Sequence, residues 1–233
     1  MNRFAIRGLL ALVLLAPAAT AGDEDNSSKE ALQALNEYIG LWKGAGGPDR
    51  TSAPENWKEN ISWSWRFKGG DAWLNIEFEN GKYFTKGELR YLPEKKKYQL
   101  TLGDKKGNKQ VFDGELKKGY LNLDSVDAKT GDTLRLTMNT AAEGVRFIYK
   151  VQKKAKGSTV YSRVYGVACN KEGESLAGGS KPKECVVTGG LGTIAVTYNG
   201  KTYYVCCTGC RDAFNEDPEK IIKEYEARKK KGG

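Results

Sequence analysis

An alternation of apolar and polar residues between positions 41 and 165 constrains the fold more than any other feature of this chain. Ile61, Trp63, Trp65 and Phe67 are separated by single polar residues, and the same spacing recurs in later segments. Successive side chains of an extended strand point to opposite faces, so a period of two predicts strands with one apolar face.

Turn-forming dipeptides divide this region at close intervals, among them Asn80-Gly81, Thr130-Gly131 and Glu143-Gly144. They predict roughly ten short strands joined by hairpins. The shared apolar face must be covered, and no long helix is predicted nearby to cover it. The sequence therefore predicts a mainly β protein with an antiparallel up-and-down β-barrel, and a two-sheet sandwich is the alternative.

The start of the strand region carries a short motif. A helix predicted over Ser27 to Ile39 leads into Gly40-Leu41-Trp42, a G-x-W at the opening of the first strand. In this position the motif resembles the start of a lipocalin-like (calycin) barrel. That resemblance implies a basic residue late in the barrel that packs over Trp42, and Arg163 is the candidate.

Four of the five tryptophans lie between Trp42 and Trp65. A barrel of this size can enclose a small apolar ligand, which these side chains would line. The alternative is that they fill the core, and we favour it because aromatic residues at strand period usually serve packing.

The N-terminus has the three parts of a secretory signal. Arg3 and Arg7 precede an apolar run, Gly8 to Ala16, and Ala19-Thr20-Ala21 offers a small-x-small cleavage site. The apolar run is too short to span a bilayer. We therefore predict a signal peptide over residues 1–21 and an exported, periplasmic or secreted protein without membrane insertion after cleavage.

The sequence contains no histidine. This excludes histidine-based acid–base catalysis, Ser-His-Asp triads, His-ligated haem and histidine metal ligands. The net charge is +9, but the lysines are dispersed among turns, so nucleic acid is not a predicted partner. Nothing in the strand region looks catalytic, and a non-enzymatic protein is predicted in which any metal is held by cysteine or carboxylate.

The composition changes after Tyr165, and residues 173–183 are rich in Gly, Ser, Lys and Pro. We predict a barrel domain with its N-terminal helix over residues 22–165, a linker over 166–184 and a cysteine-rich unit over 185–233. In that unit Asn199-Gly200 joins two β-rich runs in a predicted hairpin, and Asp217-Pro218 predicts the start of a final helix.

All five cysteines lie in the last third of the chain, at Cys169, Cys185, Cys206, Cys207 and Cys210. The predicted hairpin folds the chain back, so that Cys185 and Cys206 approach each other despite their separation. Cys210 follows where a helix is predicted to begin, and positive helix ends favour the thiolate form.

The pattern Cys185-x20-Cys206-x3-Cys210, with the run Tyr198 to Cys206, resembles a TRASH/YHS-type heavy-metal-binding domain. That resemblance implies a small hairpin-and-helix, zinc-finger-like module for metal trafficking, resistance or sensing, with Cys185, Cys206 and Cys210 as ligands. Zn(II) in a closed site takes four ligands, and Cys169 and then Cys207 are the candidates for the fourth. Three thiolates alone would suit Cu(I).

Two alternatives to a metal site remain open. An exported domain is often held together by disulfides, and the protein would then be a carrier of a small apolar ligand with a disulfide-linked C-terminal unit. Cys207-x2-Cys210 also has the spacing of a thiol–disulfide oxidoreductase, although no thioredoxin-like βαβ pattern surrounds it.

Overall fold

The computed structural model describes residues 21–48, 56–172 and 183–232. The predicted signal peptide, apart from Ala21, and residues 173–182 of the predicted linker lie outside these ranges. The described elements are the helices α1 (Ala21–Gln33), α2 (Thr208–Glu216) and α3 (Pro218–Gly232), the short 3-10 helices Asn36–Tyr38 and Pro93–Lys95, and the strands β1 (Gly40–Pro48), β2 (Trp57–Lys68), β3 (Asp71–Glu79), β4 (Lys86–Leu92), β5 (Lys97–Gly103), β6 (Lys109–Lys117), β7 (Tyr120–Val126), β8 (Thr133–Ala141), β9 (Arg146–Lys154), β10 (Ser162–Lys171), β11 (Ile194–Tyr198) and β12 (Lys201–Val205). None of these helices is both long and apolar enough to cross a bilayer.

Strands β1 to β10 form a closed antiparallel barrel in which each strand pairs with its neighbours along the chain. The barrel closes where β1 pairs with β10, from Trp42 opposite Lys171 to Pro48 opposite Tyr165. Closure removes the long open edges that a sandwich would expose, although the end of β2 beyond Trp63 extends past its partner β1. The predicted mainly β fold with an up-and-down barrel is therefore confirmed.

The inward side chains fill the barrel. Trp42, Trp63 and Trp65 are each at most 1% exposed, and they pack with Phe147 and other apolar residues in one continuous core. The cavity between Trp63, Met138 and Phe147 measures about 10 Å³, which is the space of roughly one water molecule. Trp42, Trp63 and Trp65 therefore fill the core, which is the alternative that we favoured from the sequence.

The segment before β1, which contains α1 and the 3-10 helix Asn36–Tyr38, closes one end of the barrel, and we call it the plug. It differs from the helix predicted over residues 27–39, because α1 ends at Gln33 and the chain then tightens into the 3-10 helix. The Tyr38 hydroxyl donates to the carbonyl of Met138 (3.0 Å), and Trp42 Nε1 donates to the carbonyl of Tyr38 (2.7 Å). These bonds anchor the plug to the barrel wall.

The basic group over Trp42 is Lys171, whose Nζ lies 5.2 Å from the ring centroid. Arg163, the candidate from the sequence, pairs with Gln152 instead, eight positions earlier in β10. The difference arises because β10 extends to Lys171, so residues 166–171 of the predicted linker belong to the barrel. Tyr165, Val167 and Cys169 continue the inward alternation that the small residues between them obscured.

The C-terminal unit has the predicted hairpin and helices. Strands β11 and β12 pair antiparallel around Asn199 and Gly200, which both have positive φ angles (48° and 72°), as a two-residue hairpin turn requires. The backbone N–H of Lys220 donates to Asp217 Oδ1 (3.1 Å), so Asp217 caps the first turn of α3. Pro218 is the first residue of that helix.

Glu59 is a carboxylate inside the barrel and is only 2% exposed. Its two oxygens each accept a bond of 2.6 Å, one from Trp57 Nε1 and one from the hydroxyl of Tyr149. Burial, together with the Glu59 carboxylate, raises the pKa of Tyr149, so this hydroxyl remains a donor. A buried carboxylate is tolerated because both of its oxygens are satisfied.

We predict that Glu59→Gln lowers the free energy of unfolding by about 1–3 kcal/mol, because the new amide group would face one of the two donors. Chemical denaturation followed by tryptophan emission measures the change. Glu94→Gln, at an exposed position, is the matched control and should change stability by less than about 0.5 kcal/mol. Equal stability of both variants would contradict this account of Glu59.

Candidate metal centre

Three of the cysteines converge at one point in the C-terminal unit. The sulfurs of Cys185, Cys206 and Cys210 all lie within 4.8 Å of one another, and all three residues are buried. Cys206 Sγ and Cys210 Sγ are 3.4 Å apart, which is far longer than a disulfide bond. All five cysteines are free thiols.

Cys185 is held by a tight turn beside the hairpin. Its backbone N–H donates to the carbonyl of Gly190 (2.7 Å), and the N–H of Gly189 donates back to its carbonyl (2.8 Å). The φ angle of Gly189 is 76°, a conformation that glycine adopts without strain. The N–H of Val186 donates to the carbonyl of Tyr204 (2.9 Å), so the turn lies against β12 close to Cys206.

Cys206 and Cys210 are placed by the junction of a strand and a helix. Strand β12 ends at Val205, and α2 begins at Thr208. Cys210 is therefore in the first turn of α2, where backbone N–H groups and the positive end of the helix dipole stabilise negative charge. This junction brings both sulfurs to the turn that carries Cys185.

Hydrogen bonds and burial shift the pKa values of the three cysteines in different directions. The pKa of Cys185 is lowered because its sulfur accepts bonds from Cys206, Cys210 and the Thr188 hydroxyl, whose oxygen is 3.4 Å away. The pKa of Cys206 is raised by its bonds to Cys185 and Cys207, and burial raises the pKa of Cys210. The cluster thus carries buried negative charge, which a bound cation would neutralise.

Cys207 lies beside the three-cysteine group and contacts the barrel. Its sulfur is 3.9 Å from Cys206 Sγ and accepts the backbone N–H of Trp65 at 3.4 Å. Strand β1 pairs with β2 only as far as Trp63. The start of α2 covers the next part of this β2 edge, so closely that a Cβ on Gly209 would lie 1.8 Å from the carbonyl oxygen of Trp65.

Asn36 links the same parts from the other side. Its Nδ2 donates to the carbonyl of Thr188 (2.8 Å), and its Oδ1 accepts Trp65 Nε1 (3.3 Å). The plug, the barrel and the turn of Cys185 are therefore joined by one side chain. No local sequence pattern indicates this role for Asn36, Thr188 or Trp65, since their partners lie far away along the chain.

The structure does not bring Cys169 to the other cysteines. It lies in β10, faces the barrel interior at 1% exposure, and fits against Gly44 of β1. Burial, with the Glu59 carboxylate as a second cause, raises its pKa to about 12. Cys169, the first candidate for a fourth ligand, therefore belongs to a barrel strand and not to the thiol cluster.

A cleft of about 470 Å³ lies between the rim of the barrel and the C-terminal unit, and we call it the rim cleft. Cys206, Cys207 and Thr208 form part of its lining. Its walls combine apolar and charged residues, namely Ile39, Leu41, Trp63, Leu191, Ile194, Arg66, Glu77, Lys171 and Glu172. The rim cleft thus reaches one side of the thiol cluster.

Comparison with known proteins adds no assignment, since no family model and no curated protein matches this chain. The similarity to a TRASH/YHS-type domain rests on the cysteine spacing and on the run that ends at Cys206. What the geometry itself provides is a closed β-barrel and three buried thiols able to bind one metal ion.

We predict that Gly209→Ala destabilises the protein by about 1–3 kcal/mol, because the new methyl group would collide with the carbonyl of Trp65. At an open helix position the same change would instead stabilise by about 1 kcal/mol, so the sign is informative. Denaturant unfolding provides the measurement. Gly103→Ala is the control, since its new Cβ would meet first the flexible side chain of Lys86, at 3.3 Å. Stabilisation by Gly209→Ala would refute the close approach.

Proposed function

We propose that this protein is an exported, non-enzymatic binder of a thiophilic metal ion, which Cys185, Cys206 and Cys210 hold. The observation that carries the proposal is the convergence of three buried sulfurs within 4.8 Å of one another. Thiolates select soft or borderline ions such as Cu(I) and Zn(II) over hard ions such as Mg²⁺ and Ca²⁺. Export follows from the signal-like N-terminus, and a role in heavy-metal trafficking, resistance or sensing follows from the TRASH/YHS resemblance.

The donor set narrows the ion to two cases. Three thiolates alone suit Cu(I). A structural Zn(II) site takes four ligands, with Zn–S bonds near 2.3 Å, and Cys207 is the nearest additional thiol, 3.9 Å from Cys206. Because the chain has no histidine, either site would be formed by sulfur, with oxygen or water as the remaining donor.

The two competing functions make different demands on the structure. A carrier with its ligand inside the barrel would need more space than the interior cavity of about 10 Å³. A thiol–disulfide oxidoreductase would use Cys207 and Cys210, and both residues are buried, at 8% and 0% exposure, which disfavours attack of either thiol on an external disulfide. A disulfide would compete with the metal for the same sulfurs, so oxidation is expected to abolish binding.

We predict that the mature protein, purified anaerobically, binds about one equivalent of Cu(I) or Zn(II), and that Cys185→Ser weakens binding by more than about a hundredfold. Removing a residue that only hydrogen-bonds to a metal ligand lowers metal affinity by up to about a hundredfold, so removing a ligand itself should cost more. Elemental analysis gives the stoichiometry, and competition with a chromophoric chelator gives the affinity. Cys169→Ser is the matched control, because this thiol lies inside the barrel, and it should bind as the parent protein does.

Absorption spectra of the loaded protein distinguish the two ions. Co(II) replaces Zn(II) and reports its coordination by its visible spectrum, whereas Cu(I) bound to thiolates absorbs in the ultraviolet. If the reduced parent protein binds neither ion, the proposed function is wrong. Unchanged binding in Cys185→Ser would show that these three sulfurs are not the site.

We predict that apolar probes of fatty-acid size leave the emission of the barrel tryptophans unchanged. Inside the barrel, the cavity beside Trp63 measures only about 10 Å³, which is too small for such a probe. Titration of the metal-free protein while emission is recorded is the measurement. Saturable quenching at micromolar probe concentration would instead favour the carrier.

A further inference from the structure

We propose that Cys207 is a receiving thiol, which takes the metal ion from a small thiol complex in the rim cleft and passes it to the three-cysteine group. This inference rests on the proposed function and adds a route and a donor class to it. Four observations support it: the burial of the sulfurs, their spacing, the contact of Cys207 with the barrel, and the size and charge of the rim cleft.

The burial pattern leaves one side of the cluster accessible. Cys185 and Cys210 are 0% exposed, whereas Cys206 and Cys207 are each 8% exposed and both line the rim cleft. An ion that reaches the cluster through the rim cleft therefore meets Cys206 and Cys207 first. Cys185 and Cys210 lie behind them, and neither is part of the rim-cleft lining.

The spacing of the sulfurs allows the ion to move without being released. Two sulfurs that bind one ion at about 2.3 Å each lie no more than about 4.6 Å apart. Cys206 Sγ is 3.9 Å from Cys207 Sγ and 3.4 Å from Cys210 Sγ. Cys206 can thus bind the ion together with Cys207 and keep it while Cys210 and Cys185 replace Cys207.

Each step is an exchange of ligands. The ion's bonds to Cys207 and Cys206 form as its bonds to two donor thiolates break, and each donor leaves with the proton of the cysteine thiol that replaces it, or as a thiolate where that cysteine is already deprotonated. The bond to Cys210 then forms as the bond to Cys207 breaks, and the proton of the Cys210 thiol passes to Cys207. Cys185 adds as the third ligand and releases to solvent any proton that its thiol still holds. Nothing is oxidised or reduced, so no further reactant is needed.

The barrel holds Cys207 in the wall of the rim cleft. The N–H of Trp65 donates to its sulfur at 3.4 Å, and this backbone group belongs to the β2 edge beyond the last β1 pair. A backbone donor in a paired sheet moves little, so the sulfur is kept beside Cys206. This gives the barrel a role in loading the site.

The dimensions of the rim cleft indicate the donor. A volume of about 470 Å³ is within the range of about 300–1,000 Å³ that holds small molecules. Its walls carry both signs of charge, Arg66 and Lys171 against Glu77 and Glu172. This combination fits a zwitterionic thiol of low molecular mass that carries the ion as its thiolate complex.

The test separates the rate of loading from the strength of binding. The reduced, metal-free protein is mixed in a stopped-flow instrument with Cu(I), the ion that three thiolates alone suit, presented as its glutathione complex. We expect Cys207→Ser to retain one equivalent with nearly unchanged affinity and to load at least about tenfold more slowly. Cys169→Ser, which removes a thiol inside the barrel, should load at the parent rate.

A second variant leaves every cysteine in place. Ile194→Trp narrows the rim cleft and should also slow loading, whereas Val126→Trp, at a barrel position that is 66% exposed, should not. Loading of Cys207→Ser at the parent rate would overturn the inference, and a large loss of affinity would overturn it by making Cys207 a permanent ligand. A parent protein that binds no metal would instead refute the proposed function.

Discussion

The contact between α2 and the exposed edge of β2 is the interaction on which the rest of the site depends. Beyond Trp63 the edge of β2 has no partner from β1, and Cys207 and Gly209 occupy that place. An uncovered strand edge leaves backbone N–H and C=O groups unpaired, and another chain can pair with them. Covering it with the start of a helix fixes the strand–helix junction from which Cys206 and Cys210 extend, and Asn36 attaches the turn of Cys185 to the same region.

This arrangement gives the two parts of the molecule different tasks. The barrel is filled by its own side chains, so it supplies rigidity and an edge, while the C-terminal unit supplies the sulfurs. A metal bound by Cys185, Cys206 and Cys210 would join the turn, the hairpin and α2, and its binding energy would add to the stability of the docked unit. Metal binding and docking of the C-terminal unit are therefore expected to reinforce each other.

Local patterns in the sequence were sufficient for the barrel and for the three converging thiols. Alternation around Ile61 and Trp63 predicted strands, and Asn199-Gly200 predicted the hairpin that returns the chain toward Cys185. Residues 166–171 were predicted to belong to a linker, on the composition of the residues that follow them, but they complete β10. Cys169 therefore lies inside the barrel, and Lys171 rather than Arg163 lies over Trp42. The roles of Asn36, Thr188 and Trp65 depend on contacts between distant segments, which no local pattern encodes.

The central claim is that three cysteine sulfurs hold the metal at the junction of hairpin and helix. X-ray absorption spectroscopy of the metal-loaded protein tests it most directly, because it reads the donor atoms around the ion. We predict a first shell made mainly of sulfur at about 2.3 Å, with three sulfurs from Cys185, Cys206 and Cys210 and at most one further donor. A first shell of oxygen or nitrogen near about 2.0–2.2 Å without sulfur would contradict the account.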